Sequence, residues 1–156
     1  MSITQRLGKK TICGWALGTR NITVTVDSEI MDYVVSEERF PDKAYIFKEG
    51  GSGEWIYVIL EGRVKIKKQT SKGMLTIDTL SEGDFIGEIA LFKEGNVKRS
   101  ASAIAEGPVL VGTLDTEQLT RYWEKQSRRI KKLISSLVLN LEDAIQKVIS
   151  LVELSK

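Results

Sequence analysis

The stretch that decides the fold of this 156-residue chain reads Gly83-Asp84-Phe85-Ile86-Gly87-Glu88-Ile89-Ala90-Leu91, and Arg99-Ser100-Ala101 follows after a short polar segment. Gly87 allows bare backbone to approach an anion, because glycine has no side chain to obstruct it. Glu88 offers an acceptor for a sugar hydroxyl, and Arg99 offers a planar, permanently charged fork for phosphate oxygens. Together these residue types suit a sugar phosphate.

The segment after Gly87 is too short and too rich in leucine for a strand, so we predict one helical turn over residues 88–92. The first amides of a helix lack partners within it and attract anions. Arg99 would reach the same anion from the next strand, and Ser100 would add a hydroxyl or amide donor. The alternative is that Glu88 and Arg99 form a surface ion pair worth about 0 to 1 kcal/mol, with Gly87 a plain turn and Ser100 pointing outward.

Composition excludes several function classes. The chain is 42% hydrophobic and 28% charged, which is ordinary for a globular protein, and its net charge of +2 does not favour nucleic acid as the main partner. The absence of histidine removes the usual catalytic triads and histidine-bound metals, so we expect neither an enzyme nor a cofactor. Cys13 alone cannot form an internal disulfide, which favours the cytoplasm, and no apolar run is long enough for a membrane span.

Short apolar runs separated by glycines fill residues 41–114. Turn signals every 8 to 12 residues are typical of an all-β sandwich or barrel, and we predict an antiparallel jelly roll. The predicted strands cover residues 45–47, 55–60, 63–67, 75–80 and 101–105. The glycines at the predicted breaks are Gly50, Gly53, Gly62, Gly73 and Gly83.

Residues 1–40 are predicted to form an N-terminal arm with a short helix. Residues 1–20 show no sustained period, and their role cannot be predicted. Apolar and polar residues alternate over residues 22–26, which predicts a half-buried strand. Asp27 and Ser28 then offer an N-cap for a short helix through Val35, and Pro41 closes the segment.

Residues 115–156 are predicted to form two helices, the first to about residue 126 and the second over about 127–154, which would be about 42 Å long. Two interpretations of the long helix are open, and both can hold: it covers its own barrel, or it pairs with a second chain in a homodimer, which we expect. The heptad-spaced apolar residues are Ile130, Ile134, Leu137, Leu141, Ala144, Val148 and Leu151, and the residues that widen this face are Leu133, Val138, Ile145, Ile149 and Val152.

Residues 47–105 closely resemble the cyclic nucleotide-binding domain shared by catabolite-activator-type regulators, kinase regulatory subunits and cyclic-nucleotide-gated channels. The segments Gly83–Leu91 and Arg99–Ala101 resemble its phosphate-binding cassette. The remaining residues that carry the resemblance are Gly50, Gly53, Tyr57 and Gly62.

The resemblance implies a regulatory module that binds cAMP or, as second choice, cGMP. It implies that Glu88 accepts from the ribose 2′-hydroxyl and that Arg99 pairs with the cyclic phosphate. It also implies a hinged C-terminal helix that folds over the ligand and, in the activator subfamily, pairs across a dimer. The alternative function is a nucleotide-independent interaction module. The ligand-binding residues implied are Gly87, Glu88, Ile89, Ala90, Arg99, Ser100 and Ala101.

The chain departs from the family pattern in three places. The interval from Glu88 to Arg99 is slightly longer than in the commoner members. Ala144 and Ile145 stand where the catabolite activator has a Thr-Ser pair that reads the base, so the base contacts are unassigned. Because the long helix runs almost to Lys156, we expect no helix-turn-helix DNA-binding domain, and the downstream protein partner is not predicted.

Overall fold

Antiparallel strands dominate the part of the chain that the structure describes. This structure is a computed structural model, and it describes residues 28–92 and 98–155. Its strands are β1 (Val34–Phe40), β2 (Tyr45–Phe47), β3 (Tyr57–Thr70), β4 (Gly73–Leu80), β5 (Phe85–Ile86) and β6 (Ser102–Leu114). Its helices are α1 (Ser28–Met31), α2 (Ile89–Phe92), α3 (Thr116–Glu124) and α4 (Arg128–Leu154).

Strands β3 and β6 form the middle of the sheet. β6 pairs with β1, β2 and β3, whereas β3 also pairs with β4 and β5, and every one of these pairs is antiparallel. The order β1-β6-β3-β4 leaves the sheet of described strands open. The predicted antiparallel jelly-roll fold with two C-terminal helices is confirmed, and so is the helical turn after Gly87.

Two apolar clusters stabilise the fold. The larger one lies inside the sheet and contains Ile59, Val64 and Val111, which are completely buried. The second joins β3 to the helices, because Leu91 of α2 and Leu119 of α3 pack against the cluster that contains Val58. Helices α2 and α3 are therefore attached to the sheet through its apolar face.

The predicted helix from Ser28 to Val35 is wrong in its second half. Helix α1 ends at Met31, and Val34 already pairs with Leu114 of β6. Val34 and Val35 are β-branched, so they favour the extended backbone once a partner strand is available. The predicted strand over residues 22–26 lies outside the described residues, as does the segment 1–20.

Two strands run further than predicted. β3 is continuous through Gly62, where two strands were expected, and β6 reaches Leu114 rather than ending near Ala105. The register shifts on both sides of Glu61, so Glu61 faces Leu110 and Arg63 faces Glu106. Glycine therefore marks a bulge inside a strand here and not the end of one.

Helices α3 and α4 confirm the two predicted C-terminal helices. Asp115 caps α3 by accepting from the Gln118 amide at 2.9 Å, and Ser127 caps α4 by accepting from the Ile130 amide at 3.3 Å. One face of α4 covers the domain, where Ile149 is only 3% exposed. None of the described helices is both long and apolar enough to cross a membrane.

The turn between β3 and β4 holds the C-terminal end of α4. The Lys72 ammonium donates to the carbonyl of Val152 at 3.0 Å and to that of Ser155. The Ser71 amide donates to Glu153 Oε1 at 2.9 Å. A cation at a helix C-terminus is favourable because the last carbonyls lack partners within the helix.

Gly62 provides a test of the bulge. Its φ is +92°, and a Cβ added there would lie 2.5 Å from the Pro108 carbonyl oxygen of the neighbouring strand. We expect Gly62→Ala to lower the free energy of unfolding by about 2 to 4 kcal/mol, because positive φ and a backbone clash act together.

Gly73→Ala is the matched control for this variant. Gly73 also has a positive φ, of +108°, but a Cβ there meets nothing within 4 Å. Urea titration of both variants should show the larger loss for Gly62→Ala. Equal losses would mean that backbone strain alone, rather than the close approach of β6, requires glycine at residue 62.

Candidate functional site

Arg99 is the buried centre of the candidate site. Only 7% of it is exposed, and its Nη2 donates to the Trp55 carbonyl at 2.6 Å. Its Nη1 donates to the Gly87 carbonyl at 3.4 Å, and its guanidinium carbon lies 4.3 Å from the centre of the Phe47 ring. Its Nε is buried without a hydrogen-bond partner among the described residues. The alternative of a surface ion pair with Glu88 is therefore wrong.

Gly87 is required by the position of Arg99. The φ of Gly87 is +84°, and a Cβ there would overlap Arg99 Nη1 and lie 2.9 Å from the Trp55 carbonyl oxygen. Only glycine lets the guanidinium pass directly beneath this part of the chain. The close approach that the structure describes for Gly87 is to an arginine of the same chain, and its predicted approach to an anion stays a prediction.

A cavity of about 110 Å³ lies against this group and is lined by all seven predicted site residues. The structure thus brings together Gly87, Glu88, Ile89, Ala90, Arg99, Ser100 and Ala101. Sequence reasoning did not assign the other residues of the lining. These are Phe47, Ile66, Leu80, Phe85, Ile86 and Lys98.

Some of the unassigned lining residues could have been predicted from the alternation of side chains between the two faces of a strand. Ile66 lies two residues after the buried Val64 on β3, so its side chain faces the same side of the sheet. Ile86 and Phe85 form β5 directly before Gly87. Phe47 ends the short strand β2, and nothing in its local sequence indicates a contact with Arg99.

In the cavity, burial and neighbouring charges shift the pKa values of Glu88 and Arg99 in opposite directions. Burial raises the pKa of Glu88, while its own backbone amide and the charge of Arg99 lower it. Burial lowers the pKa of the Arg99 guanidinium, whereas Tyr57 and Glu88 raise it. An arginine remains protonated at neutral pH in spite of such a shift. The cavity therefore holds a fixed cation beside a carboxyl group that is costly to ionise.

This arrangement can bind a small molecule that carries both an anion and a hydroxyl group. Arg99 supplies the cation, Glu88 supplies the acceptor, and Phe47, Ile66 and Leu80 supply an apolar wall. Within residues 28–92 and 98–155, no three His, Cys, Asp or Glu residues are grouped so that they could hold a metal ion. The fold and the site define a small ligand-binding β domain.

The chain belongs to the cyclic nucleotide-binding domain family. The model of this family matches residues 37–126, which contain the whole sheet from β2 to β6, the cassette and helix α3. The family expected from the cassette residues is therefore confirmed.

Known relatives share this domain within longer proteins. The chain is 38% identical over 104 residues to a cGMP-dependent protein kinase, egl-4, of Caenorhabditis briggsae, covering 65% of this chain and 14% of the kinase. It is 30% identical over 112 residues to the cAMP-activated global transcriptional regulator CRP of Salmonella typhimurium, covering 70% of this chain and 52% of the regulator. The chain thus spans at most about half the length of these two relatives.

The solved structure of the EAL enzyme Bd1971 in its cAMP-bound form has a similar fold. The TM-score is 0.64 at 27% sequence identity, and the match covers 72% of this chain and 30% of that protein. The likeness therefore extends over most of this chain but over less than a third of the enzyme.

We expect Glu88 to make the binding of a sugar phosphate sensitive to pH. A hydroxyl donates a stronger hydrogen bond to an ionised carboxylate than to a neutral carboxyl group, and burial raises the pKa of Glu88 above its ordinary value. We therefore expect the affinity for cAMP to fall as the pH is lowered, and to begin falling at a higher pH than the protonation of an ordinary carboxyl group would explain. Calorimetric titration should show that Glu88→Gln binds weakly and without this pH dependence.

The same variant has a second expected effect, of opposite sign, on the ligand-free protein. Because the folded-state pKa is raised, ionised Glu88 destabilises the fold at neutral pH, and this cost disappears as the pH falls through that pKa. Glu88→Gln should therefore unfold at a higher temperature than the wild type at pH 7. The exposed neighbour Glu82→Gln is the control, and equal behaviour of the two variants would exclude a special role for Glu88.

Proposed function

We propose that this chain is a non-catalytic regulatory module that binds cAMP, with cGMP as the second candidate ligand. The observation that carries the proposal is the state of Arg99, which is more than nine-tenths buried at the cavity and has an Nε donor without a partner among the described residues. A buried polar group without a partner costs free energy, and an anionic ligand would remove that cost.

We assign a proposed role to each cassette residue from the family resemblance, and the place of these residues around the cavity supports the assignment. Arg99 would bind the cyclic phosphate, and Glu88 would accept the ribose 2′-hydroxyl. Gly87 and Ser100 would approach the sugar and the phosphate with backbone or hydroxyl groups. The other proposed ligand contacts are Ile89, Ala90 and Ala101.

We propose that ligand binding shifts the position of α4. Helix α2 begins directly after Glu88 and lies against both α3 and α4. Phe92 at the end of α2 meets Trp123 of α3 edge to face, with ring centres 5.0 Å apart. A ligand that reorders Gly87 and Glu88 therefore acts on the element against which the C-terminal helices pack, and it can favour one of their positions.

We also propose a homodimer formed through α4. The side of α4 that does not cover the domain carries exposed apolar residues, which we call the apolar stripe. The stripe begins at Ile130, which is 43% exposed, and ends at Leu151, which is 68% exposed. Such a continuous exposed apolar surface indicates a binding partner. The stripe consists of Ile130, Leu133, Leu137, Leu141, Ala144, Val148 and Leu151.

Removing the guanidinium tests the binding site. We expect Arg99→Ala to lose about 1.5 to 3 kcal/mol of binding free energy for cAMP, because a hydrogen-bonded charge pair with the phosphate is lost. Titration calorimetry of both proteins measures this. Lys98→Ala removes an exposed cation from the rim of the same cavity and should have a much smaller effect.

The same samples test the coupling. At a cAMP concentration that saturates the wild type but not Arg99→Ala, hydrogen exchange across residues 121–154 should change in the wild type and stay nearly unchanged in the variant. Arg99→Lys keeps a charge in the buried site and serves if the alanine variant does not fold. Equal binding of cAMP by the wild type and the Arg99 variants would remove the assigned role, and unchanged exchange in the wild type would remove the switch.

Two leucines of α4 test the dimer. Leu137 lies in the apolar stripe and Leu139 lies on the opposite side of the helix, yet each is 59% exposed. Leu137→Glu should abolish the dimer because it introduces a charge into the contact, whereas Leu139→Glu should leave it intact. Sedimentation velocity distinguishes these outcomes, and a monomeric wild type would disprove the proposal.

A nucleotide-independent interaction module is the second candidate function. It is favoured by the exposed apolar stripe, which offers a contact surface whose residues do not line the cavity. A thermal-shift panel of cAMP, cGMP and linear nucleotides decides between the two functions, since a ligand that binds the native state raises its unfolding temperature. A dimer that responds to none of them would support the second function. The division into an arm (1–40), a core (41–114) and a helical unit (115–156), and the cytoplasmic location, remain predictions.

A further inference from the structure

A charged network lies beside the cassette and outside the cavity lining. The Lys68 ammonium on β3 donates to the Ser100 carbonyl at 2.6 Å and pairs with Glu49 Oε1 at 2.9 Å. The other carboxylate oxygen of Glu49 accepts from the Gln69 amide at 2.8 Å, and the Glu49 amide donates to the Ser102 hydroxyl at 2.9 Å. This network joins the loop after β2, strand β3 and both sides of Ala101.

The backbone of Arg99 is held by the same loop. The Gly50 amide donates to the Arg99 carbonyl at 2.8 Å, and the Arg99 amide donates to the Gly51 carbonyl at 2.9 Å. Three of the four residues from Arg99 to Ser102 are thus fixed by residues 49–51 and by Lys68. Arg99 projects its guanidinium from this fixed segment.

The ion pair between Lys68 and Glu49 is partly shielded from solvent, which favours a rigid network. The side chains of Lys68 and Glu49 are 22% and 27% exposed, so solvent screens their attraction less than that of a surface pair. The neighbouring Lys67 faces the opposite side of β3 and makes no ion pair with any residue that the structure describes. The hydrogen bond to the Ser100 carbonyl is therefore specific to Lys68 and does not arise merely because β3 is rich in lysine.

We infer that Lys68 and Glu49 are positioning residues, which act on the ligand through the segment from Arg99 to Ser102. This inference rests on the proposed function, since it assigns to the pair the task of presenting that segment to the cyclic phosphate. Lys68 fixes the direction of the Ser100 carbonyl, and with it the peptide that joins Ser100 to Ala101. Such preorganisation strengthens binding because less motion is lost when the ligand arrives.

Lys68→Met tests the inference by keeping the length of the side chain and removing its charge. We expect the Kd for cAMP to rise about tenfold, with the unfolding temperature of the ligand-free protein close to that of the control Lys67→Met. Lys68→Arg, which retains a cationic donor, should recover most of the affinity. Glu49→Gln should weaken binding similarly, and the double variant should lose little more than either single one, because the two act as a unit.

The outcomes separate this inference from the proposed function. Wild type that binds neither cAMP nor cGMP would overturn the proposed function and the positioning role with it. Wild type that binds, with Lys68→Met as tight as Lys67→Met, would overturn the positioning role alone. A loss of affinity that merely parallels a loss of stability, or that Lys68→Arg does not recover at all, would assign Lys68 to the fold rather than to the ligand site.

Discussion

The burial of one guanidinium is the constraint on which the site depends. A charged group removed from water must find partners, and Arg99 finds the carbonyls of Trp55 and Gly87 and the face of Phe47. These partners come from three separate places in the chain, so they meet only when β2, the loop before β3 and the cassette are all in place. The arginine thus ties the functional site to the completion of the sheet.

The buried position of Arg99 also explains why residue 87 must be glycine. A side chain at that position would overlap the guanidinium, so the turn and the cation form one steric unit. Among the described residues, the fold leaves one nitrogen of that unit without a partner. A buried donor without a partner lowers the stability of the domain, so this nitrogen is a cost that the fold bears beside the cavity.

The cassette could be predicted from sequence because its chemistry is local. Gly87, Glu88 and Arg99 are unusual together, and the helical turn that follows Gly87 is visible in a run too short for a strand. The extent of β3 and β6 could not be predicted in the same way. Gly62, Gly107 and Pro108 are ordinary turn residues, and only the pairing of the two long strands across a bulge keeps the chain extended there. For the same reason, Phe47 could be predicted as a strand residue but not as the partner of Arg99.

Helix α4 is attached to the domain on one side and leaves the apolar stripe exposed on the other. Its buried side is fixed at two ends of the domain, by α2 near the cassette and by Lys72 at the turn between β3 and β4. Strand β3 carries Lys68 toward the cassette and leads directly into that turn. Lys68, which contacts the cassette at Ser100, and Lys72, which holds the end of α4, are therefore separated by only three residues of the chain. The coupling that we propose between the cassette and α4 would therefore have a short path, because both contacts lie at the same end of β3.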